Sequence, residues 1–223
     1  MKNKIFIAID TSSVKKANLI IKQTKIKKLK IGYKFGLEFI NSKNGRNFIS
    51  KLRNKIIFID LKLHDIPNTV SSTFNSLKDL RIDYLTVHIS SGFKALKKIK
   101  KISKKVKIVG VTTLTSLDNK DLREIGYEKS LKDLIITQCK LAKKANLDGI
   151  VCSPWEVKLV RKIFKREIIT PGIRISSGSN DQKRIMSPKE ALKQGSDWLV
   201  IGRELTTGNI KNNLRRLIDH LSL

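Results

Sequence analysis

The chain has 223 residues, 40% hydrophobic and 30% charged, which suits a globular core and excludes a disordered or fibrous protein. No apolar run approaches the roughly 18–20 residues of a membrane span. Its 47 basic and 19 acidic residues give a net charge of +28, but the lysines are spread over every helix-like segment and the few aromatics do not interleave with them, which argues against a nucleic-acid partner.

The opening MKNKIFIAIDTSS sets basic residues before an apolar run, as a signal peptide does. The run stops at Asp10 and no small-residue cleavage site follows, so it reads as a first strand over 4–10. Further β-rich runs follow at 28–33, 55–62, 84–90, 106–114, 148–153, 167–173 and 197–205. Helical-period segments separate them, among them SVKKANLIIKQT, GLEFINSKNGRNFISKL, SLKDLIITQCKLAKKAN and WEVKLVRKIF, and IKNNLRRLIDHLSL ends the chain. Eight such units predict a single-domain (β/α)8 TIM barrel over 1–223, in the α/β class. No GxGxxG follows the first strand, which weakens a dinucleotide-binding sheet. Cys139 and Cys152 have no CxxC spacing and no companion histidines, so a reduced, cytoplasmic protein without a metal site is expected.

In a barrel of this kind the site lies at the C-terminal strand ends. The first strand ends in Asp10, the second contains Lys30, and the third ends in Asp60 and Lys62 with Asp65 just beyond. Alternate strand residues share a face, so Asp60 and Lys62 point the same way, about 6.6 Å apart. With Asp10 and Lys30 they form a Lys-Asp-Lys-Asp array, in which flanking carboxylates favour the charged lysine and suit it to donate a proton. The same spacing also fits a buried ion network that plugs the barrel mouth. Gly202 and Arg203 after the eighth strand, and PGIR (171–174) after the seventh, fall where barrels often hold a phosphate.

DLKLHDIPNT (60–69) resembles the signature of the orotidine 5′-phosphate decarboxylase family, and AIDTSS, LKIGYKF, VTTLTS, DGIVCS, TPGIR, DQKRIMSPKEAL and WLVIGRELT recur in the order of its shorter bacterial-type members. The resemblance implies loss of carbon dioxide from orotidine 5′-phosphate to give uridine 5′-phosphate, the last step of de novo pyrimidine nucleotide synthesis, without metal or organic cofactor. It implies Lys62 as proton donor to C6, Asp60 crowding the substrate carboxylate, Lys30 bridging ribose and Asp60, and Asp10 on the ribose hydroxyls. Thr115 would contact the pyrimidine, and Arg174, Gln182, Gly202 and Arg203 the phosphate end. Asp65 and Thr69 would reach the partner subunit's site, so a homodimer with shared sites is implied, and Ile66 would join the substrate-binding residues. Ile175 stands where members often have proline. A sugar-phosphate branch of the same superfamily shares a D-x-K-x-x-D array but uses magnesium; DIPNT and the TPGIR loop argue against it.

Among the remaining polar and aromatic residues, His64 is expected to pack or cap at the dimer seam and His88 to make a satisfied hydrogen bond inside the barrel. His220 is expected in solvent, and Trp155 and Trp198 in packing.

Overall fold

The computed structural model describes residues 3–175 and 185–222. Its strands are β1 (Lys4–Ile9), β2 (Lys30–Gly36), β3 (Ile56–Leu63), β4 (Tyr84–His88), β5 (Lys107–Val111), β6 (Gly149–Val151), β7 (Glu167–Thr170) and β8 (Trp198–Ile201). Each pairs in parallel with the next, and β8 closes on β1 with Ile5 opposite Leu199 and Ile7 opposite Ile201. The helices are α1 (Val14–Gln23), α2 (Leu37–Ile40), α3 (Gly45–Lys51), α4 (Pro67–Ser76), α5 (Gly92–Ile102), α6 (Asn119–Glu124), α7 (Leu131–Lys144), α8 (Val157–Ile163), α9 (Pro188–Gln194), α10 (Arg203–Thr206) and α11 (Ile210–Leu221). The expected eight-stranded barrel is therefore present. Several strands stop short of their expected ends, at Val111, Thr170 and Ile201, where the chain turns into the loops of the barrel mouth. The helical segment after β2 is broken in two by Asn41-Ser42-Lys43-Asn44.

Alternation along the strands builds two cores. On β1, Ile5, Ile7 and Ile9 face the helices, while Phe6 and Ala8 face inward. Inside, Phe6 stacks on Trp198 at 4.0 Å and meets Phe58 at 4.9 Å and Tyr84 at 5.1 Å. Each such buried ring contributes roughly 4–6 kcal/mol of transfer free energy as an upper figure. Gly32 makes room for this cluster, because a Cβ there would lie 2.5 Å from the Phe6 ring.

The aromatic floor closes the N-terminal end of the barrel. The ammonium groups of Lys4 and Lys30 lie 5.8 and 5.9 Å from the Trp198 ring centre. Lys107 bridges Tyr84 and Glu167 beside them. Many other lysines are where the sequence puts them, on solvated helix faces: in α5 the exposed positions are Lys94, Lys97, Lys98 and Lys101. Among the described residues, no helix is long and apolar enough to cross a membrane.

Candidate active site

At the opposite end, β2 and β3 lift charged side chains into the mouth. Gly36 of β2 lies opposite Asp60 of β3, which puts Lys34 one pleat below and on the inward face. Lys62 Nζ donates to Asp60 Oδ2 at 2.9 Å. Lys34 Nζ lies 3.4 Å from the same oxygen and 3.5 Å from Asp10 Oδ1. A continuous chain of alternating charge results: Lys62, Asp60, Lys34, Asp10.

Asp60 is 8% exposed. Burial pushes its carboxyl up, but the Lys34 and Lys62 charges, with hydrogen bonds from Lys62 and Thr86, outweigh that and hold it below the ordinary carboxylate range. The site therefore contains a fixed negative charge in a poorly hydrated setting.

Lys62 owes its direction to more than simple alternation. Its φ of 48° is left-handed, and the pairing of β3 with β4 shifts register between Ile59 and Leu63. A non-glycine residue held there costs about 1–3 kcal/mol and persists only where its surroundings fix it. Here the Lys62 amide donates to Thr86 Oγ1 at 2.8 Å, and the Thr86 hydroxyl donates to Asp60 Oδ1 at 3.0 Å.

These groups open into a cleft of about 560 Å³. Ala8, Phe58, Val151 and Val200 give it an apolar lining, continuous with the inner core. Thr115, the Pro171–Arg174 segment and Gly202–Glu204 supply the rest of its wall, with Thr207. The segment after β7 is anchored by the Arg174 amide donating to the Met186 carbonyl at 3.1 Å. Gly202 brings the backbone close to this array: a Cβ there would lie 3.2 Å from Asp10 Oδ2, a tight contact.

The profile of the "Orotidine 5'-phosphate decarboxylase / HUMPS family" matches residues 3–215. A protein of Wolbachia from Brugia malayi, named orotidine 5'-phosphate decarboxylase, is 44% identical over 97% of each chain. A relative of the same name from Wolbachia of Culex pipiens is 46% identical over 92% of each. The solved structure of orotidine 5'-phosphate decarboxylase from Lactobacillus acidophilus superposes with a TM-score of 0.84 at 29% identity, covering both chains fully. The chain belongs to the orotidine 5'-phosphate decarboxylase / HUMPS family.

For this member of the orotidine 5'-phosphate decarboxylase / HUMPS family, the cleft brings together Asp10, Asp60, Lys62, Thr115, Arg174, Gly202 and Arg203 from the expected set. Lys30 is not among them. It starts β2, opposite Lys4, and its ammonium lies near Trp198 at the barrel floor. Lys30 and Lys34 share the inward face but are two pleats apart, about 13 Å along the strand, so Lys34 fills the place expected for Lys30. Asp65, Ile66 and Thr69 lie exposed around the start of α4, outside the cleft of their own chain, with Asp65 Oδ1 accepting from the Ile66 amide at 2.7 Å. Gln182 lies outside the described residues.

Lys34 and Thr86 were missed by reading the sequence. LKIGYKF did contain the signal for Lys34, since counting inward positions from Lys30 reaches it. Thr86, flanked by Leu85 and Val87, looks like an ordinary strand residue. The His88 ring lies 5.2 Å from that of His64, whose Nε2 is 3.2 Å from Ser90 Oγ. Burial, then the neighbouring His64 and Lys62, push His88 below the usual histidine range. Trp198 is buried, whereas Trp155 is 62% exposed with its indole donating to the Ile185 carbonyl. His220 is only partly solvated, its Nε2 buried without a hydrogen-bond partner.

Proposed function

We propose that the cleft decarboxylates orotidine 5′-phosphate to uridine 5′-phosphate, the closing reaction of de novo pyrimidine nucleotide synthesis. The observation that carries this reading is Lys62 Nζ held 2.9 Å from Asp60 Oδ2 at the edge of a nucleotide-sized cavity. Breaking the C6–carboxylate bond releases carbon dioxide and leaves the electron pair on C6. The Lys62 ammonium gives its proton to that carbon, and water later restores it to the amine. Asp60, held ionised, faces the substrate carboxylate and disfavours it more than the departing neutral carbon dioxide. The array thus acts on charge that changes during the reaction, where preorganised groups contribute most.

Lys34 takes the role first given to Lys30, linking the ribose to Asp60, and Asp10 receives ribose hydroxyls. Thr115 contacts the pyrimidine. Arg174, Gly202 and Arg203 take the phosphate, whose binding energy helps to hold the reacting carbon against Lys62. The reaction needs no metal or organic cofactor. In support, the oxygens of Asp60 already accept from Lys62 and Thr86 and lie beside Lys34, an arrangement suited to ammonium groups and not to a divalent ion.

The site is completed in a homodimer, Asp65, Ile66 and Thr69 reaching the cleft of a second copy. The 64% exposure of Ile66 beside Asp65 supports this. A reduced, cytoplasmic setting accords with the unpaired, buried Cys139 and Cys152.

The deciding assay follows orotidylate absorbance with purified protein and excess EDTA. Undiminished consumption is expected; activity that appears only with added magnesium, on a sugar phosphate, would transfer the chain to the other branch of its family. Light scattering should give a dimer mass. Mixing Lys62→Ala with Asp65→Ala subunits should restore activity, and confirmed heterodimers without recovery would exclude shared sites.

A further inference from the structure

Thr86 is fully buried in β4, and both hydrogen-bonding functions of its hydroxyl are committed to the site. Its oxygen accepts the Lys62 amide at 2.8 Å, and its proton goes to Asp60 Oδ1 at 3.0 Å. The direction of that proton is dictated: the Lys62 amide can only donate, so the hydroxyl is left to donate to the carboxylate. Building on the decarboxylase reading above, we propose that Thr86 is the positioning residue of the reaction, one hydroxyl that sets the orientations of Asp60 and Lys62 together.

Three features meet at this hydroxyl. The first is the register shift between Ile59 and Leu63, which interrupts the regular pairing of β3 with β4 and leaves the Lys62 amide to a side chain. The second is the left-handed φ of 48° at Lys62, the same residue whose amide Thr86 receives. The third is the division of labour on Asp60, where Oδ1 is held by Thr86 while Oδ2 meets Lys62 at 2.9 Å and Lys34 at 3.4 Å. A carboxylate turned part-way out of this plane would loosen the contacts of both oxygens, the one with Lys62 included. A valine would fill the same space and suit a strand equally well. It would leave the Lys62 amide without its acceptor and Asp60 Oδ1 without its donor. Thr86 acts on the reacting atoms only through these two residues.

The test compares Thr86→Val and Thr86→Ser with wild type in steady-state orotidylate turnover and in uridine 5′-monophosphate binding by calorimetry. Thr86→Val should lower kcat about ten- to a hundredfold, the range for losing hydrogen bonds to charged or buried groups, with KM and product affinity within about threefold of wild type. Thr86→Ser, which retains the hydroxyl, should recover kcat to within about threefold. A fully active Thr86→Val variant, a serine variant as slow as the valine one, or a loss of product affinity equal to the loss in kcat would overturn the role. If Thr86→Val does not fold, Thr86→Cys keeps the size with a weakly bonding thiol and is read against Thr86→Ser by the same criteria. Wild-type protein that leaves orotidylate untouched would overturn the decarboxylase reading and this role with it. Active wild type with an unaffected valine variant would overturn the Thr86 role alone.

Discussion

The two ends of the barrel use the same residue types to opposite ends. At the floor, Lys4 and Lys107 pair with the carboxylate of Glu167, and Lys4, Lys30 and Lys107 lie over the Trp198 and Tyr84 rings. At the mouth, Lys34 and Lys62 share Asp60 beside an open cleft. One strand supplies a lysine to each end, Lys30 and Lys34, on the same inward face. Aromatic packing fills the space at the floor, and burial with the Glu167 charge pushes the Tyr84 hydroxyl up to about 12, so it stays neutral at physiological pH. At the mouth the charges line a cleft of about 560 Å³. Chemistry thus follows from what a charged side chain faces, and residue type alone does not distinguish a lid from a site.

The sharpest way to break this contrast is Lys62→Ala. Turnover should fall at least about a thousandfold while uridine 5′-monophosphate still binds by calorimetry, because in the proposed reaction the proton is delivered only as the bond breaks. Near-normal turnover would remove Lys62 from the role of acid. Next in size is the comparison within β2. Lys34→Ala should lower kcat/KM about ten- to a hundredfold, and Lys30→Ala should leave it within about twofold, since a cation over a ring contributes only about 0.5–1 kcal/mol to stability. The reverse ranking would mean that the two pleats had been wrongly assigned.

A floor variant should separate stability from chemistry. Phe6→Ala should cost about 3–5 kcal/mol in urea unfolding, the range for emptying a buried aromatic site. A change below about 1 kcal/mol would show that the floor is not packed as described.

Acidification gives a subtler test. His88 is held below its ordinary value by burial and by His64 and Lys62, with Asp60 opposing them. As pH falls through about 6.5, the unfolded chain takes up a proton that the folded chain refuses, and stability is lost. Asp60, depressed in the folded state, contributes fully above about 3.9, and that contribution is lost as pH falls through its lower folded value. Thermal midpoints should therefore decline from near pH 6.5 and again below pH 4. His88→Gln should flatten the first decline only; an unchanged first decline would assign it to another group.

Much of this was legible in the sequence. Runs such as KIFIAI and IIFIDLKL carry alternating or wholly apolar strand patterns, and their recurrence gives a barrel whose mouth must hold Asp10, Asp60 and Lys62. What was not legible has specific causes. The apolar pattern of the second strand ends at Tyr33, because an inward lysine facing a polar cleft breaks it just as a loop does, and this points to Lys30 in place of Lys34. Thr86 is a common strand residue whose importance lies in its two partners. The left-handed backbone of Lys62 has no signature in a lysine codon. Asp65, Ile66 and Thr69 lie outside the cleft of their own chain, so a single barrel gives no measure of what they do.

Gly32 has a consequence that extends across the barrel. The missing side chain admits the Phe6 ring, Phe6 packs on Phe58, and Phe58 is part of the cleft wall. A methyl group at Gly32 must displace that ring, and the displacement passes up a column of interlocked aromatics to the surface against which a ligand would rest. The depth available to a guest molecule is in this sense gauged from beneath, by a position that no guest touches.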